Sequence, residues 1–174
     1  MKKLEDYVLS IPDFPEEGII FRDITTVLED ADGFALAVDS YKELLKDVDF
    51  DVIVGVESRG FVFGAALANM LHKPLILARK PGKLPRETIS QDYELEYGKD
   101  SIEMHTDSIK SGQRAVIIDD LIATGGTVEA VAKLVERLGG SVAAIAFMIE
   151  LAGLNGRKRL EGYDIRSAIV YEGK

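Results

Sequence analysis

Along this chain, short unbroken apolar runs alternate with longer stretches in which apolar residues recur every three or four positions. The runs are Asp51–Val56 (DVIVGV), Leu75–Ala78 (LILA), Ala115–Ile118 (AVII) and Val142–Ile149 (VAAIAFMI). Apolar at nearly every residue rather than at every second one, they predict strands covered on both faces. Between them, Phe34, Val38, Tyr41 and Leu45 share one face of a helix over Phe34–Leu45. Gly60–Leu71 is small and apolar almost throughout, as suits a helix packed closely on a sheet. Val128, Val131, Leu134, Val135 and Leu138 keep helical spacing through Thr127–Leu138, and Gly139–Gly140 supplies the stop. Strands alternating with helices imply βαβ units. The predicted fold is therefore α/β, a central, mainly parallel sheet flanked by helices.

Two segments break that rhythm. Lys80–Lys99 carries two prolines, two glycines and mixed charge before YELEYG, which alternates only weakly. A plain loop of that length is uncommon in a compact domain, so the segment is either an extra hairpin or a functional lid. Tyr163–Glu172 (YDIRSAIVYE) alternates enough to be a closing or edge strand. No internal repeat, low-complexity tract or linker divides the chain, so residues 1–174 are expected to form one domain.

Composition narrows the function. At 47% hydrophobic and 29% charged residues, the chain has the balance of a water-soluble globular protein. No window approaches the about 18 uninterrupted apolar residues of a membrane span. MKKLEDYVLS lacks the apolar core of a signal peptide, so a cytoplasmic location is expected. The absence of cysteine removes disulfides, thiolate catalysis and thiolate metal sites, and His72 and His105 are too few for a histidine metal centre. A formal net charge of −9 argues against nucleic acid or an anionic membrane as the main partner. It leaves room for a small anionic substrate, because RKPGKLPR (79–86) concentrates four basic side chains with no acid.

The chemistry is concentrated in Val116–Thr127, VIIDDLIATGGT. In open α/β sheets ligands bind beyond the carboxyl ends of strands, and Asp119 and Asp120 stand at such an end. Ala123, Thr124, Gly125, Gly126 and Thr127 then lead into a helix. Small residues let backbone N–H groups approach a phosphate, and Thr124 and Thr127 add hydroxyl donors. The helix dipole contributes only about 1 kcal/mol, so several amides and hydroxyls must share a dianion. Neighbouring carboxylates tolerate each other when both accept from donors or share a cation, a need met by sugar hydroxyls and hydrated Mg²⁺. The stretch thus reads as a grip for a ribose 5-phosphate. The blander alternative is an ordinary strand–turn–helix with an acidic turn and Thr127 as helix N-cap.

A second strand end, Glu57-Ser58-Arg59-Gly60, places an arginine where it can fork onto phosphate oxygens, although Glu57 and Arg59 also suit a plain surface ion pair. Neither G-x-x-x-x-G-K-[ST] nor G-x-G-x-x-G occurs, which removes the common nucleotide-binding alternatives.

VIIDDLIATGGT resembles the phosphoribosyl-diphosphate (PRPP) motif of type I phosphoribosyltransferases. VESRGF, the basic-then-acidic segment about 80–99, PDFPEEGIIFRDIT and YELEYGKDSIEMH are together similar to the adenine-specific branch of that family. The likeness runs through LAGLNGRKRLEGYD, where Ala152-Gly153 looks less typical but lies away from the expected chemistry. The resemblance implies the type I fold with a lid or hood and transfer of the 5-phosphoribosyl group from PRPP to adenine. AMP and pyrophosphate would be the products of this purine-salvage reaction, with Mg²⁺ held mainly through PRPP and water rather than by direct protein ligands.

By the same resemblance, Asp119 and Asp120 hold the ribose hydroxyls, and residues 123–127 hold the 5′-phosphate. Arg59 contacts pyrophosphate beside a strained, often cis, peptide. Arg79, Lys80 and Lys83 lie near the pyrophosphate or the partner subunit's site in a homodimer. The base pocket, in a segment about 12–25, uses backbone groups of Ile20 and Arg22 with Phe21 against one face of the ring and Leu121 on the other. Glu96 is the family's proposed acid/base at the purine, beside Tyr97 and Lys99, and Gly82 and Gly98 bracket the lid as hinges. Read without the family, Asp92, Glu94 and Asp100 have as good a claim as Glu96, and Phe21 after two isoleucines is as readily core. Competing readings are a 6-oxopurine (xanthine or hypoxanthine) enzyme, a PRPP-sensing regulator and a non-catalytic structural paralogue. The first would favour a lysine that PDFPEEGIIFRD lacks, the second a DNA-binding module for which an acidic chain leaves no room, and the intact lid speaks against the third.

Overall fold

A computed structural model describes residues 2–95 and 97–173. After a 3-10 turn at Leu4–Tyr7, β1 (Leu9–Pro12) and β2 (Ile20–Asp23) pair antiparallel, followed by α1 (Thr25–Leu28) and α2 (Ala31–Leu44). The chain continues through β3 (Val52–Val56), α3 (Arg59–Leu71) and β4 (Leu75–Ala78), then the pair β5 (Thr88–Glu94) and β6 (Lys99–His105). It closes with β7 (Arg114–Ile122), α4 (Gly126–Arg137), β8 (Ser141–Leu151), a 3-10 turn at Ala152–Leu154, α5 (Gly156–Arg159) and β9 (Ile165–Tyr171).

Five strands form the central parallel sheet in the order β4-β3-β7-β8-β9. From β3 the chain steps outward to β4, whereas from β7 it steps the other way through β8 to β9. The connections therefore diverge between β3 and β7, and such a reversal opens a crevice at the strands' carboxyl ends. Alternation along β3 loads both faces: Val52, Val54 and Val56 pack with α4 and the β5–β6 hairpin, while Ile53 packs with α2 and α3. Asp30 caps α2, accepting from the backbone N–H groups of Asp32 and Gly33 at 2.9 and 3.0 Å.

The apolar runs, the helices and the parallel sheet match the sequence reading, with three differences. β7 does not end at Ile118 but carries Asp119 and Asp120 inside it as far as Ile122, because its ladder with β8 continues through Leu121–Ile149 and Ile122–Glu150. α4 is entered through Gly125 at φ 84° with no side-chain cap, so Thr127 is not its N-cap. The segment after Lys80 contains the extra hairpin, whose second strand runs on to His105 and is bridged to Arg79 through Glu103. Among the described residues, no helix is long and apolar enough to cross a membrane.

Candidate active site

At the β3–β7 divergence lies a cleft of about 490 Å³. The exit of β3 lines it with Glu57, Ser58 and Arg59, and β7 and its following loop with Asp119, Asp120, Leu121, Ala123 and Thr127; Lys80 closes one side. A smaller recess of about 110 Å³ adjoins it, shaped by Ala123, Thr124, Gly125, Gly126 and Thr127. The sequence-predicted sugar and phosphate residues are thus brought to one place. The Glu57–Ser58 peptide is cis.

Asp119 and Asp120, consecutive on β7, both line the cleft, and each lies close enough to feel the other's charge. Asp120 is buried, at 3% exposure, and accepts from Arg59 Nε at 2.6 Å. Burial opposes the charge of Arg59, but the Asp120 carboxylate outweighs it and holds the guanidinium above its ordinary value. Asp119 opens in part to the cleft, and its Oδ1 accepts the N–H of Asp120 at 2.9 Å. Burial first, and the charge of Asp120 second, push its carboxyl well above the usual range. Gly60 allows this approach of α3 to β7: a Cβ there would lie 2.6 Å from the carbonyl oxygen of Ile118 and 3.1 Å from Asp119 Oδ1. From below, the hydroxyl of Tyr41, buried in α2, donates to the carbonyl of Asp119 at 2.8 Å.

Arg79 and Lys80 are tied to neighbouring groups. Arg79 Nε meets Glu57 Oε2 at 3.2 Å, and the same oxygen accepts the N–H of Lys80 at 2.8 Å. Burial opposes ionisation of Glu57, but these donors outweigh it and hold its carboxyl low. Lys80 Nζ bonds Tyr93 at 2.6 Å and Asp100, joining the cleft wall to the hairpin. Lys83 is exposed and, with Arg79, stays outside the cleft lining.

The base segment is less committed. Ile20, Phe21 and Arg22 form β2, and none of them lines the cleft, whereas Leu121 does. Phe21 belongs to neither core cluster; its ring meets Phe14 edge-on at 5.2 Å between centroids. The guanidinium of Arg22 lies 3.8 Å from the Tyr171 ring centroid. Glu96 lies outside the described residues. Of the rival acids, Asp92 accepts from Ser101 at 2.6 Å and Asp100 is engaged by Lys80, while Glu94 is exposed.

Among the described residues, no three His, Cys, Asp or Glu gather to hold a metal ion. The cleft still suits a hydrated divalent cation carried by substrate oxygens. It holds two adjacent carboxylates against one arginine, and Asp119 has a penalised charge that a cation would relieve. The sequence reading missed Tyr41, which helical spacing shows only as one more apolar position, and the turn carrying α5, which touches the small-residue loop from behind. Neither has a local signal, because both act through contacts distant in sequence.

The phosphoribosyl transferase domain model matches residues 28–172. An adenine phosphoribosyltransferase of Lachnoclostridium phytofermentans is 63% identical over 174 residues, covering all of both chains. The crystal structure of adenine phosphoribosyltransferase from Thermoanaerobacter pseudethanolicus superposes with a TM-score of 0.93 at 53% identity, covering 97% of this chain and 98% of that one. The Saccharomyces cerevisiae enzyme, complexed with adenine and an imino-altritol bisphosphate, gives a TM-score of 0.87 at 38% identity, over 93% and 94% of the two chains.

Proposed function

This chain belongs to the adenine phosphoribosyltransferase family, and from that premise we propose that the β3–β7 cleft holds PRPP with the reacting carbon facing Leu121. The enzyme transfers the 5-phosphoribosyl group of PRPP to adenine, giving AMP and pyrophosphate in purine salvage. The bond from C1′ to pyrophosphate breaks as the bond from C1′ to adenine N9 forms, and N9 gives up its proton.

Each part of the cleft answers one need of that step. Asp119 and Asp120 accept from the ribose hydroxyls, while the amides and hydroxyls of residues 123–127 take the 5′-phosphate. Together they fix the sugar as positive character develops at C1′. Arg59 and Lys80 face the departing pyrophosphate, supported by Arg79 and Lys83. Phe21 closes over adenine opposite Leu121, backbone groups of Ile20 and Arg22 read its edge, and Glu96 serves as acid/base at the purine. For this the lid about 80–99 and the hairpin carrying Phe21 move toward the cleft, keeping water from C1′. Asp119 and Asp120 would stand beside a substrate-borne Mg²⁺, which when bound would supply charge neutralisation for the pyrophosphate. A homodimer and a cytoplasmic setting belong to the same proposal.

One observation carries this reading: the Arg59–Asp120 pair, Asp119 and the small-residue recess lie side by side at the sheet's point of divergence. The test is to incubate the protein with PRPP, Mg²⁺ and, separately, adenine, hypoxanthine, guanine, xanthine and uracil. AMP is expected with adenine alone. Nucleotide from hypoxanthine or xanthine but none from adenine would move the reading to a 6-oxopurine enzyme.

A further inference from the structure

The loop of residues 123–127 is shaped from two sides, one facing the cleft and the other facing the turn that carries α5. Gly156 lies directly beneath it: a Cβ on Gly156 would stand 2.5 Å from the carbonyl oxygen of Ala123 and 2.8 Å from the Ile122 side chain. The contact is reciprocal. A Cβ on Gly125, already at φ 84°, would stand 3.0 Å from the carbonyl oxygen of Gly156 and 3.4 Å from Leu160, which is fully buried. Small residues in the loop are therefore required by its backing as well as by a ligand.

What holds the backing in place is an ion pair between a buried carboxylate and a half-exposed arginine. Glu150, at the tip of β8 and 6% exposed, accepts from Arg157 Nε at 2.7 Å and Nη2 at 2.8 Å, and from Ser167 Oγ at 2.7 Å. Arg157 also donates to the carbonyl of Ile165 at 3.0 Å, so one guanidinium joins β8, β9 and α5. A forked pair of this kind fixes orientation as well as distance.

We propose that Glu150, Arg157 and Gly156 are positioning residues for the 5′-phosphate of PRPP: the clamp sets the height of the turn, and the turn sets the height of the loop's amides. The inference rests on the reading that this loop binds the phosphate. None of the three residues touches substrate, and their effect is confined to one end of it. A displaced phosphate seat weakens groups that carry the 5′-phosphate and spares pyrophosphate, which sits against Arg59 and Lys80 across the cleft.

The experiment compares the full-length enzyme with Gly156→Ala and Arg157→Lys, using ribose 5-phosphate and pyrophosphate as separate calorimetric probes beside steady-state kinetics. Gly156→Ala is expected to weaken ribose 5-phosphate and raise the KM for PRPP about tenfold, the scale of a small misplacement. Pyrophosphate affinity and the KM for adenine should stay within about twofold. Arg157→Lys keeps the charge but loses the fork, and about a threefold effect in the same pattern is expected even if Gly156→Ala fails to fold. Unchanged ribose 5-phosphate affinity in the folded variant, or equal loss of both probes, overturns the proposal. A Thr124→Val, Thr127→Val control separates the two readings: if it leaves ribose 5-phosphate binding intact, the loop is not the phosphate seat.

Discussion

The proposed sugar-phosphate side of the site and its proposed base side are built in opposite ways. The sugar-phosphate half stands on strands in the middle of a five-stranded sheet, and its acids are held by Arg59, by Tyr41 from beneath and by close packing at Gly60. The proposed base half lies on β1, β2 and their connection; among the described residues these two strands pair with each other alone, and Phe14 and Ile20 are 49% and 40% exposed. The difference suits what each half is proposed to recognise. Holding a dianion and a developing positive charge requires groups already in place, since reorienting dipoles during the reaction costs the gain they provide. A flat purine needs ring faces and a few backbone groups, which a short hairpin can supply.

The strongest way to break this comparison is to remove the charge of the sugar-phosphate half. Asp119→Asn with Asp120→Asn removes both anionic acceptors, each worth about 1.5–3 kcal/mol as a charged hydrogen bond. PRPP affinity is expected to fall by about 100-fold or more. Titration of PRPP into the double variant, with circular dichroism confirming the fold, checks it. Unchanged affinity would show that the pair does not hold the sugar.

The β1–β2 hairpin should respond differently. Phe21→Ala removes one face of the proposed base sandwich, and the KM for adenine is expected to rise about tenfold. Because β2 lies outside the central sheet, PRPP affinity and thermal stability should change little. Steady-state kinetics with each substrate varied in turn makes the distinction. A large drop in Tm would mean that Phe21 is a packing residue, the alternative its sequence neighbours suggest.

The same contrast explains what could be read in advance. Strands buried on both faces announce themselves as unbroken apolar runs, so β3, β4 and β8 are legible and with them the parallel sheet. β7 reads short because its last turn of the ladder carries acids, and hydrophobicity stops at Ile118 while hydrogen bonding continues to Ile122. The motifs around Arg59 and Asp120 are each visible locally, but their pairing across 61 residues appears only once β3 and β7 lie side by side. β1 and β2 are short, exposed and close to prolines, and carry no period to detect. Tyr41 looks like one more apolar position on α2 because its hydroxyl's partner is a backbone carbonyl 78 residues away.

The smallest expected effect is on stability, and it sharpens the comparison most. In the fold, the carboxyl of Asp119 titrates well above its usual 3.8, through burial and the charge of Asp120. A carboxyl whose folded value is raised binds its proton more tightly in the native state, so its ionised form costs stability at neutral pH. That cost shrinks as pH falls through the raised value and is gone below the unfolded one. Asn at this position keeps an oxygen for the N–H of Asp120 and has no charge to penalise. Asp119→Asn should therefore melt above the wild type at pH 7, by about 2–4 °C for each kcal/mol recovered, and the gap should close toward pH 4. Melting curves across that range, with Phe21→Ala as the control showing no pH-dependent gap, measure it. A variant that melts lower at pH 7, or a gap that does not narrow with acid, would mean the sugar-phosphate half holds no electrostatic strain awaiting its ligand.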